Sequence, residues 1–128
     1  MDKPMTFKDD HHKKKYREIL GKMATTDEYH CAVAYLLALD ENICNNPKRV
    51  NDCFDFENDC IHRTAGDESW VTGYDRRLLK LAFNLWNDTN KADVSDVFSG
   101  VADLEYLLEA VRIRYSDVAV FLPPLYRD

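Results

Sequence analysis

The apolar positions between Tyr74 and Asn87 recur at spacings of three and four residues, which is the period of an α-helix. The positions on two adjoining faces are Leu78, Leu79, Leu81, Ala82, Phe83, Leu85 and Trp86. Only a narrow stripe through Arg77, Lys80 and Asn84 stays polar. A helix that is apolar over most of its circumference is normally enclosed by its neighbours. We therefore predict that the helix 74–87 lies at the centre of the fold.

The first two predicted helices of the chain lie before residue 41. The first follows Asp9 or Asp10 as its N-cap and ends near Gly21. Its apolar stripe consists of Tyr16, Ile19, Leu20 and Met23. The second opens with a capping box, Thr25 followed by Glu28, and its long apolar run ends near Asp40. We expect this second helix to be the main packing partner of the helix 74–87.

Three more helical segments complete the pattern. Asn46-Pro47 starts a short helix that turns Val50, Cys53 and Phe54 inward, and Ser95 caps a brief helical turn. A last helix begins near residue 102 or 103. Its predicted inner face is Leu104, Leu107, Leu108, Val111 and Tyr115, and its predicted outer face is Glu105, Glu109, Arg112 and Arg114.

The fold class that follows is all-α: one compact domain, residues 1–128, built as a bundle of about five helices around the helix 74–87. Residues 1–7 are expected to be a loose leader, and residues 116–128 an apolar tail with a Pro-Pro pair that cannot continue a helix. The segment 57–73 lacks a clear period and is long for a connection, so it is expected to hold a short β element or a binding surface.

Composition narrows the classes of partner. The chain has 128 residues, of which 45% are hydrophobic, and a net charge of −6. That charge opposes non-specific binding to nucleic acid, although it leaves room for a local basic site. The longest apolar run, residues 31–39, is too short to span a bilayer, and the N-terminus has no apolar signal region. We expect a cytoplasmic protein that binds neither nucleic acid nor membranes.

The four cysteines and four histidines raise the question of a metal site. Cys60-x-His62 and the adjacent pair His30-Cys31 are the nearest approaches to zinc-ligand spacing, and neither has the standard form. Cysteines on apolar helix faces, such as Cys31 and Cys53, behave as small hydrophobic residues. The pair His11-His12 is expected on the surface, because neighbouring helical residues point about 100° apart. No catalytic motif is present, so we predict no metal, no cofactor and no enzymatic activity.

Acidic residues crowd one part of the chain. A rim of carboxylates exposed to solvent is the simplest interpretation of this crowding. If the protein has a basic partner, the carboxylates and the 57–73 segment are the predicted landing site. The predicted partner-binding residues are Asp52, Asp55, Glu57, Asp59, Asp67, Glu68 and Trp70.

A family resemblance extends over most of the chain, from about Phe7 to Tyr115. It is carried by Phe7, His11, Lys15 and Tyr16, by residues 32–39 (AVAYLLAL), by residues 54–56 (FDF), by Trp70, Thr72 and Gly73, by residues 81–87 (LAFNLWN) and by residues 109–115 (EAVRIRY). The sequence resembles a family of small proteins of unknown function from Gram-positive bacteria and their phages and mobile elements. The family brings no established activity, so the resemblance implies no catalytic residue. It does imply that the chain is the product of a phage or mobile-element gene.

Three functional hypotheses remain. The first is a phage-encoded inhibitor of a bacterial defence complex, of the anti-CRISPR type, whose carboxylates occupy a basic surface such as the groove of a nuclease. The second is a structural or regulatory module that forms a homodimer through the apolar segment 118–126. The third is a small metal-dependent enzyme that uses Cys60, His62 and nearby carboxylates.

Overall fold

The computed structural model describes residues 4–87 and 90–115, and helices dominate this part of the chain. The elements are α1 (Asp10–Leu20), α2 (Glu28–Leu39), α3 (Glu41–Cys44), α4 (Pro47–Cys53), β1 (Phe54–Asp55), β2 (Cys60–Ile61), a 3-10 turn (Ala65–Asp67), α5 (Gly73–Trp86), α6 (Val94–Phe98) and α7 (Leu104–Tyr115). The mainly α fold is confirmed. Helices α1, α2, α4, α5 and α7 correspond to the predicted helices, and α6 corresponds to the predicted brief helical turn. The helix α3 was not predicted. Within the described ranges no helix is long and apolar enough to cross a membrane.

The predicted β element exists as a minimal antiparallel hairpin. Strands β1 and β2 pair with Phe54 opposite Ile61 and Asp55 opposite Cys60. Phe54 and Ile61 are buried, so one side of the hairpin joins the core. The turn 56–59, which connects the two strands, extends towards solvent and exposes Glu57 and Asn58. Strand β2 lies in the segment expected to hold a β element, and β1 lies just before it.

Short polar side chains start the helices, although two of the predicted caps are wrong. Asp9 and Asn46 accept backbone N–H bonds at the starts of α1 and α4, as expected. The cap of α2 is Asp27 instead of Thr25, and the cap of α6 is Asp93 instead of Ser95. In α2 the aspartate lies two residues after the predicted cap, and in α6 it lies two residues before the predicted cap. Aspartate is among the best N-caps, so it accepts the N–H bond of the first turn in place of the predicted side chain.

The helix at the centre of the fold is α2. All of its residues from His30 to Leu39 are buried, and it packs against α1, α5 and α7. Helix α5, predicted at the centre, packs on α2 and buries all of its predicted apolar positions except half-buried Trp86, but it exposes Arg76 and Lys80, so α2 is the more enclosed of the two helices. Charged side chains keep a helix at the surface. Helix α2 has no charged residue between Glu28 and Asp40, so it can be enclosed on every side.

Helix α7 is rotated relative to the prediction. Its buried side chains include Leu107, Ala110 and Ile113, whereas Leu104, Leu108 and Tyr115 are 41%, 51% and 57% exposed. Both stripes fit the helical period, so the period could not choose between them. Glu109, which was expected on the outer face, is also buried. It accepts the Thr6 N–H at 2.9 Å and two hydrogen bonds from Arg112.

The first described residues are docked on the body of the protein. The Tyr35 hydroxyl donates to the Thr6 carbonyl at 2.6 Å, and the Phe7 ring packs against the rings of Tyr16 and Tyr35. Residues 4–7 therefore do not form a loose leader, contrary to expectation. The predicted apolar tail, residues 116–128, lies outside the described residues.

His12 is a core residue. It is 2% exposed, its Nε2 lies 2.9 Å from the Tyr35 carbonyl, and its Nδ1 accepts the Lys8 N–H at 3.1 Å. These roles require a neutral ring with the proton on Nε2. Burial lowers the pKa of His12 below its usual 6.5. The prediction of a surface position holds only for half-exposed His11.

The neutral ring of His12 predicts a loss of stability in mild acid. In the unfolded chain the histidine titrates near pKa 6.5, and in the folded chain its pKa is lower. Its contribution is therefore complete above pH 6.5 and is lost as the pH falls through the folded pKa. The free energy of unfolding should fall by up to about 1.4 kcal/mol per pH unit in that window.

Urea unfolding of the wild type and of His12→Gln across this pH range measures the effect. The wild type should show a steeper acid-side fall than His12→Gln, and His11→Gln should behave like the wild type. Parallel profiles for the wild type and His12→Gln would contradict the assignment.

Candidate functional site

The turn of the β-hairpin is organised by one of the predicted site residues. Asp55 Oδ1 accepts the N–H groups of Glu57 and Asn58 at 3.1 and 3.0 Å, and Asp55 Oδ2 accepts the Asn58 side-chain amide at 2.7 Å. Hydrogen bonds from Asn58 hold the pKa of Asp55 below its usual value. Asp59 closes the turn with φ at +56°, a conformation that aspartate tolerates better than most residues. Asp55 therefore shapes the hairpin.

A buried histidine ties the hairpin to α2. The His30 ring is 5% exposed, with Nε2 2.7 Å from Asp59 Oδ1 and Nδ1 2.7 Å from Asp27 Oδ1. Burial opposes ionisation of Asp27, but hydrogen bonds from His30 lower its pKa below the usual value. Asp59 is therefore held in place from the core, by a buried histidine of α2.

Trp70 is fixed against the same side of the molecule. Its Nε1 donates to Asp52 Oδ2 at 3.1 Å, and the Arg49 guanidinium lies 5.3 Å from the centre of its ring. Asp52 also forms an ion pair with exposed Lys48 at 3.6 Å. Asp52 and Glu68 line one small hollow of about 180 Å³. The structure thus brings Asp52, Glu68 and Trp70 together.

The seven predicted residues fall into two groups, according to whether their side chains form contacts within the fold. Asp52, Asp55, Asp59 and Trp70 are engaged in the contacts above. Glu57, Asp67 and Glu68 are exposed, and their side chains have no hydrogen bond or ion pair with the described residues. Asp67 lies apart, in a separate hollow with Arg63 and Arg76. We call the group formed by Asp52, Asp55, Glu57, Asp59, Glu68 and Trp70 the acidic surface.

The acidic surface keeps a net negative charge. Its five carboxylates, Asp52, Asp55, Glu57, Asp59 and Glu68, lie near two cations of α4, Lys48 paired with Asp52 and Arg49 over Trp70. The carboxylates that hold the hairpin and Trp70 in place also add to the negative field. The free side chains of Glu57 and Glu68 can reach an approaching partner without breaking a contact of the fold.

The residues considered for metal chemistry do not converge. Cys60 is exposed and His62 half-buried, and nowhere in residues 4–87 and 90–115 do three His, Cys, Asp or Glu side chains form a group suited to a metal ion. The prediction that Cys31 and Cys53 are core residues is confirmed. Burial raises the pKa of Cys31 to about 11, which keeps it a thiol at neutral pH.

A buried pair of carboxyl groups was not predicted. Asp40 and Asp75 are 1% and 0% exposed and lie beside a cleft of about 260 Å³ that also contains Tyr74 and Asp103. Asp40 caps α3, and Asp75 completes the capping box of α5 with Thr72. The sequence signal was the pattern Thr72-x-x-Asp75, which indicates a helix start. The 35 positions that separate the two aspartates gave no indication that they meet.

The pair shares a proton at neutral pH. Burial, with the adjacent Asp75, raises the pKa of Asp40 to about 8. Burial opposes ionisation of Asp75, but hydrogen bonds from Asp40, Thr72 and Asn42 lower its pKa. Two buried carboxyl groups in contact cannot both ionise cheaply. Asp40 Oδ2 and Asp75 Oδ1 have no partner in the described residues other than each other.

A chain of polar contacts connects this pair to the acidic surface. The Asn42 side-chain amide donates to Asp75 Oδ2 at 2.6 Å, and Arg49 donates to Asn42 Oδ1 at 2.7 Å. Arg49 in turn lies over the Trp70 ring. The start of α5 and the position of Trp70 therefore depend on the same network.

Asp40→Asn should stabilise the protein at alkaline pH. The folded pKa of Asp40 is raised from 3.8 to about 8, so the stability that its protonated form contributes is present below pH 3.8 and is lost as the pH rises through 8. The loss is up to about 1.4 kcal/mol per pH unit. Asparagine can still cap α3 and donate to Asp75, and it carries no charge.

Chemical denaturation from mild acid to mild alkali tests this expectation. The advantage of Asp40→Asn over the wild type should grow with pH, and Glu41→Gln, a neighbouring exposed change, should follow the wild type. A constant difference between Asp40→Asn and the wild type at all pH values would show that Asp40 is ionised throughout.

The comparisons with known proteins place the chain by family alone. Neither the curated proteins nor the solved structures contain a significant match. The profile of a family of unknown function, DUF6075, matches residues 2–121. That match agrees with the predicted resemblance to an uncharacterised family, and it covers the acidic surface, the buried aspartate pair and the helices α1 to α7 of the described residues. The chain belongs to the DUF6075 family.

Proposed function

We propose that the protein is a binding module that docks on a basic protein through its acidic surface, without enzymatic activity. The observation that carries the proposal is the concentration of carboxylates between residues 51 and 68, where Glu57 and Glu68 form no hydrogen bond or ion pair with the part of the chain that the structure describes. Carboxylates that are not needed by the fold can form charge-assisted hydrogen bonds to lysines and arginines of a partner.

The geometry around Trp70 supports the same proposal. Interface energy tends to concentrate at rigid aromatic anchors, and tryptophan is among the most frequent of them. Trp70 is half-buried and is held from two sides by Asp52 and Arg49. Its ring is therefore already ordered before a partner arrives, which reduces the entropy lost on binding.

The specific role that we propose is inhibition of a bacterial defence complex in the host cytoplasm. The resemblance to phage and mobile-element proteins of Gram-positive bacteria supports this context. Nucleases and CRISPR effector complexes bind phosphate backbones in basic grooves. An array of carboxylates in such a groove would compete with the nucleic acid for the same lysines and arginines.

Neutralising Glu57 and Glu68 should weaken partner capture. The variant Glu57→Gln/Glu68→Gln removes two charges whose side chains have no hydrogen bond or ion pair with the described residues, so its fold should be unchanged. In pull-downs from lysate of the bacterial host, read by mass spectrometry, the wild type should recover one nuclease or effector complex in a salt-sensitive manner. The double variant should recover about tenfold less of that complex.

The matched control removes two carboxylates elsewhere: Asp10→Asn/Glu105→Gln. This variant has the same net charge as the test variant and should retain the complex. Equal recovery by the test variant, with the same salt dependence as the wild type, would exclude the acidic surface as the contact.

Self-association is a second candidate function, favoured by the outer face of α7. Leu104, Leu108 and Tyr115 form an exposed apolar stripe along this helix. The first turn of α7 carries Glu105, and the last turn carries Arg114, which lies over the ring of Tyr115 in this stripe. Two copies packed with antiparallel α7 helices would cover both stripes and bring opposite charges together at each end.

Leu108→Glu tests this candidate. Leu108 is 51% exposed, so the change should leave the fold intact while placing a charge in the centre of the dimer contact. Light scattering after gel filtration should give a dimer mass for the wild type and a monomer mass for Leu108→Glu. A wild type that is monomeric at high concentration would eliminate the candidate.

A further inference from the structure

A cleft of about 560 Å³ lies between α5 and α6, away from the acidic surface. Three cationic side chains, Arg76, Arg77 and Lys80, project into it from α5. Ser95 and Ser99 line its opposite side, and Asp96 is the one carboxylate among its lining residues. In a chain with a net charge of −6, this concentration of positive charge is unexpected.

The cations of the cleft are not neutralised internally. Among the described residues none of the three forms an ion pair. Arg77 donates to the Ser99 carbonyl at 2.6 Å, and Arg76 donates weakly to the Gly66 carbonyl at 3.3 Å. Both guanidinium groups keep further N–H donors for a ligand. The Lys80 ammonium has no partner in the described part of the chain.

The chemistry of the lining matches phosphate. Guanidinium groups bind phosphate oxygens in pairs, and serine hydroxyls add further donors. The cleft also includes Gly73, the first residue of the 14-residue helix α5. Among the described residues, no side chain and no distant backbone lies within 4 Å of the position that a Gly73 Cβ would occupy, so a ligand can approach the backbone there.

The surroundings favour a compact ligand over a long polyanion. Asp96 lies at the cleft itself, and Asp67 lies in the adjoining hollow, so an extended phosphate backbone would meet carboxylates on either side. The adjoining hollow, about 190 Å³, shares Arg76 and Lys80 with the cleft and is floored by Leu79 and Phe83. An organic group attached to the phosphates can therefore rest on an apolar floor.

We propose that the α5–α6 cleft binds a small phosphorylated ligand of nucleotide size. Its phosphates contact Arg76, Arg77 and Lys80, and its organic part lies over Leu79 and Phe83. None of these residues belongs to the acidic surface. The inference is therefore independent of the proposed docking function.

Titration with two probes, inorganic pyrophosphate and ATP, tests the inference. In ¹H–¹⁵N NMR spectra of the full chain at moderate salt, both probes should cause saturable shifts confined to α5, α6 and the 63–67 segment. ATP should bind more tightly than pyrophosphate because of the apolar floor. Arg76→Gln/Lys80→Gln should weaken both probes at least about tenfold.

Lys13→Gln/Lys14→Gln is the matched control, since it removes the same charge from the exposed side of α1 and should leave both affinities unchanged. Melting temperatures of the two double variants establish that both are folded. Three results would overturn the inference: no saturable shift, equal weakening by both variants, or no preference for ATP over pyrophosphate. Tighter binding of a single-stranded oligonucleotide than of ATP would overturn it in favour of a nucleic-acid surface.

Discussion

The enclosure of α2 is the constraint on which the rest of the structure depends. A helix surrounded by protein on every side has no water to satisfy its polar side chains, so each of them needs an internal partner. Apart from Asp27, which pairs with His30, the partners come from segments distant in sequence. These tethers join His30 to Asp59, Tyr35 to Thr6 and His12, and Asp40 to Asp75. The hairpin, the N-terminal segment, α1 and α5 are thus each fixed to the same helix by a polar contact as well as by packing.

This arrangement decides which charges are available for binding. Asp59 anchors the hairpin to His30, Asp55 accepts the hydrogen bonds that form the turn, and Asp52 accepts the hydrogen bond of Trp70. These contacts hold the turn rigid and leave Glu57 free at its tip. Carboxylates that stabilise the fold therefore lie beside Glu57, which can contact a partner. Substitution of the former should lower the stability of the protein, whereas substitution of Glu57 should leave the stability unchanged.

The sequence predicted the helices well because their period and caps are local. It could not predict which helix is enclosed, since that depends on the absence of charge along α2 relative to α5, and both helices are strongly apolar. The face of α7 was equally ambiguous, because Leu107 and Leu108 begin two apolar stripes on one helix. For the site, the crowding of carboxylates was visible, but their partners were not. The meeting of Asp40 and Asp75 depends on the packed structure alone.

The first turn of α5 links the two surfaces of opposite charge. Asp75 in that turn reaches inward to Asp40 and Asn42, and through Arg49 the network extends to Trp70. The next residue, Arg76, points outward into the basic cleft. Opposite fields keep the surfaces selective, because a basic partner is attracted to one and repelled by the other, and an anionic ligand the reverse. Loss of the proton that Asp40 and Asp75 share would place a second negative charge behind this turn. Both surfaces depend on the turn for their geometry.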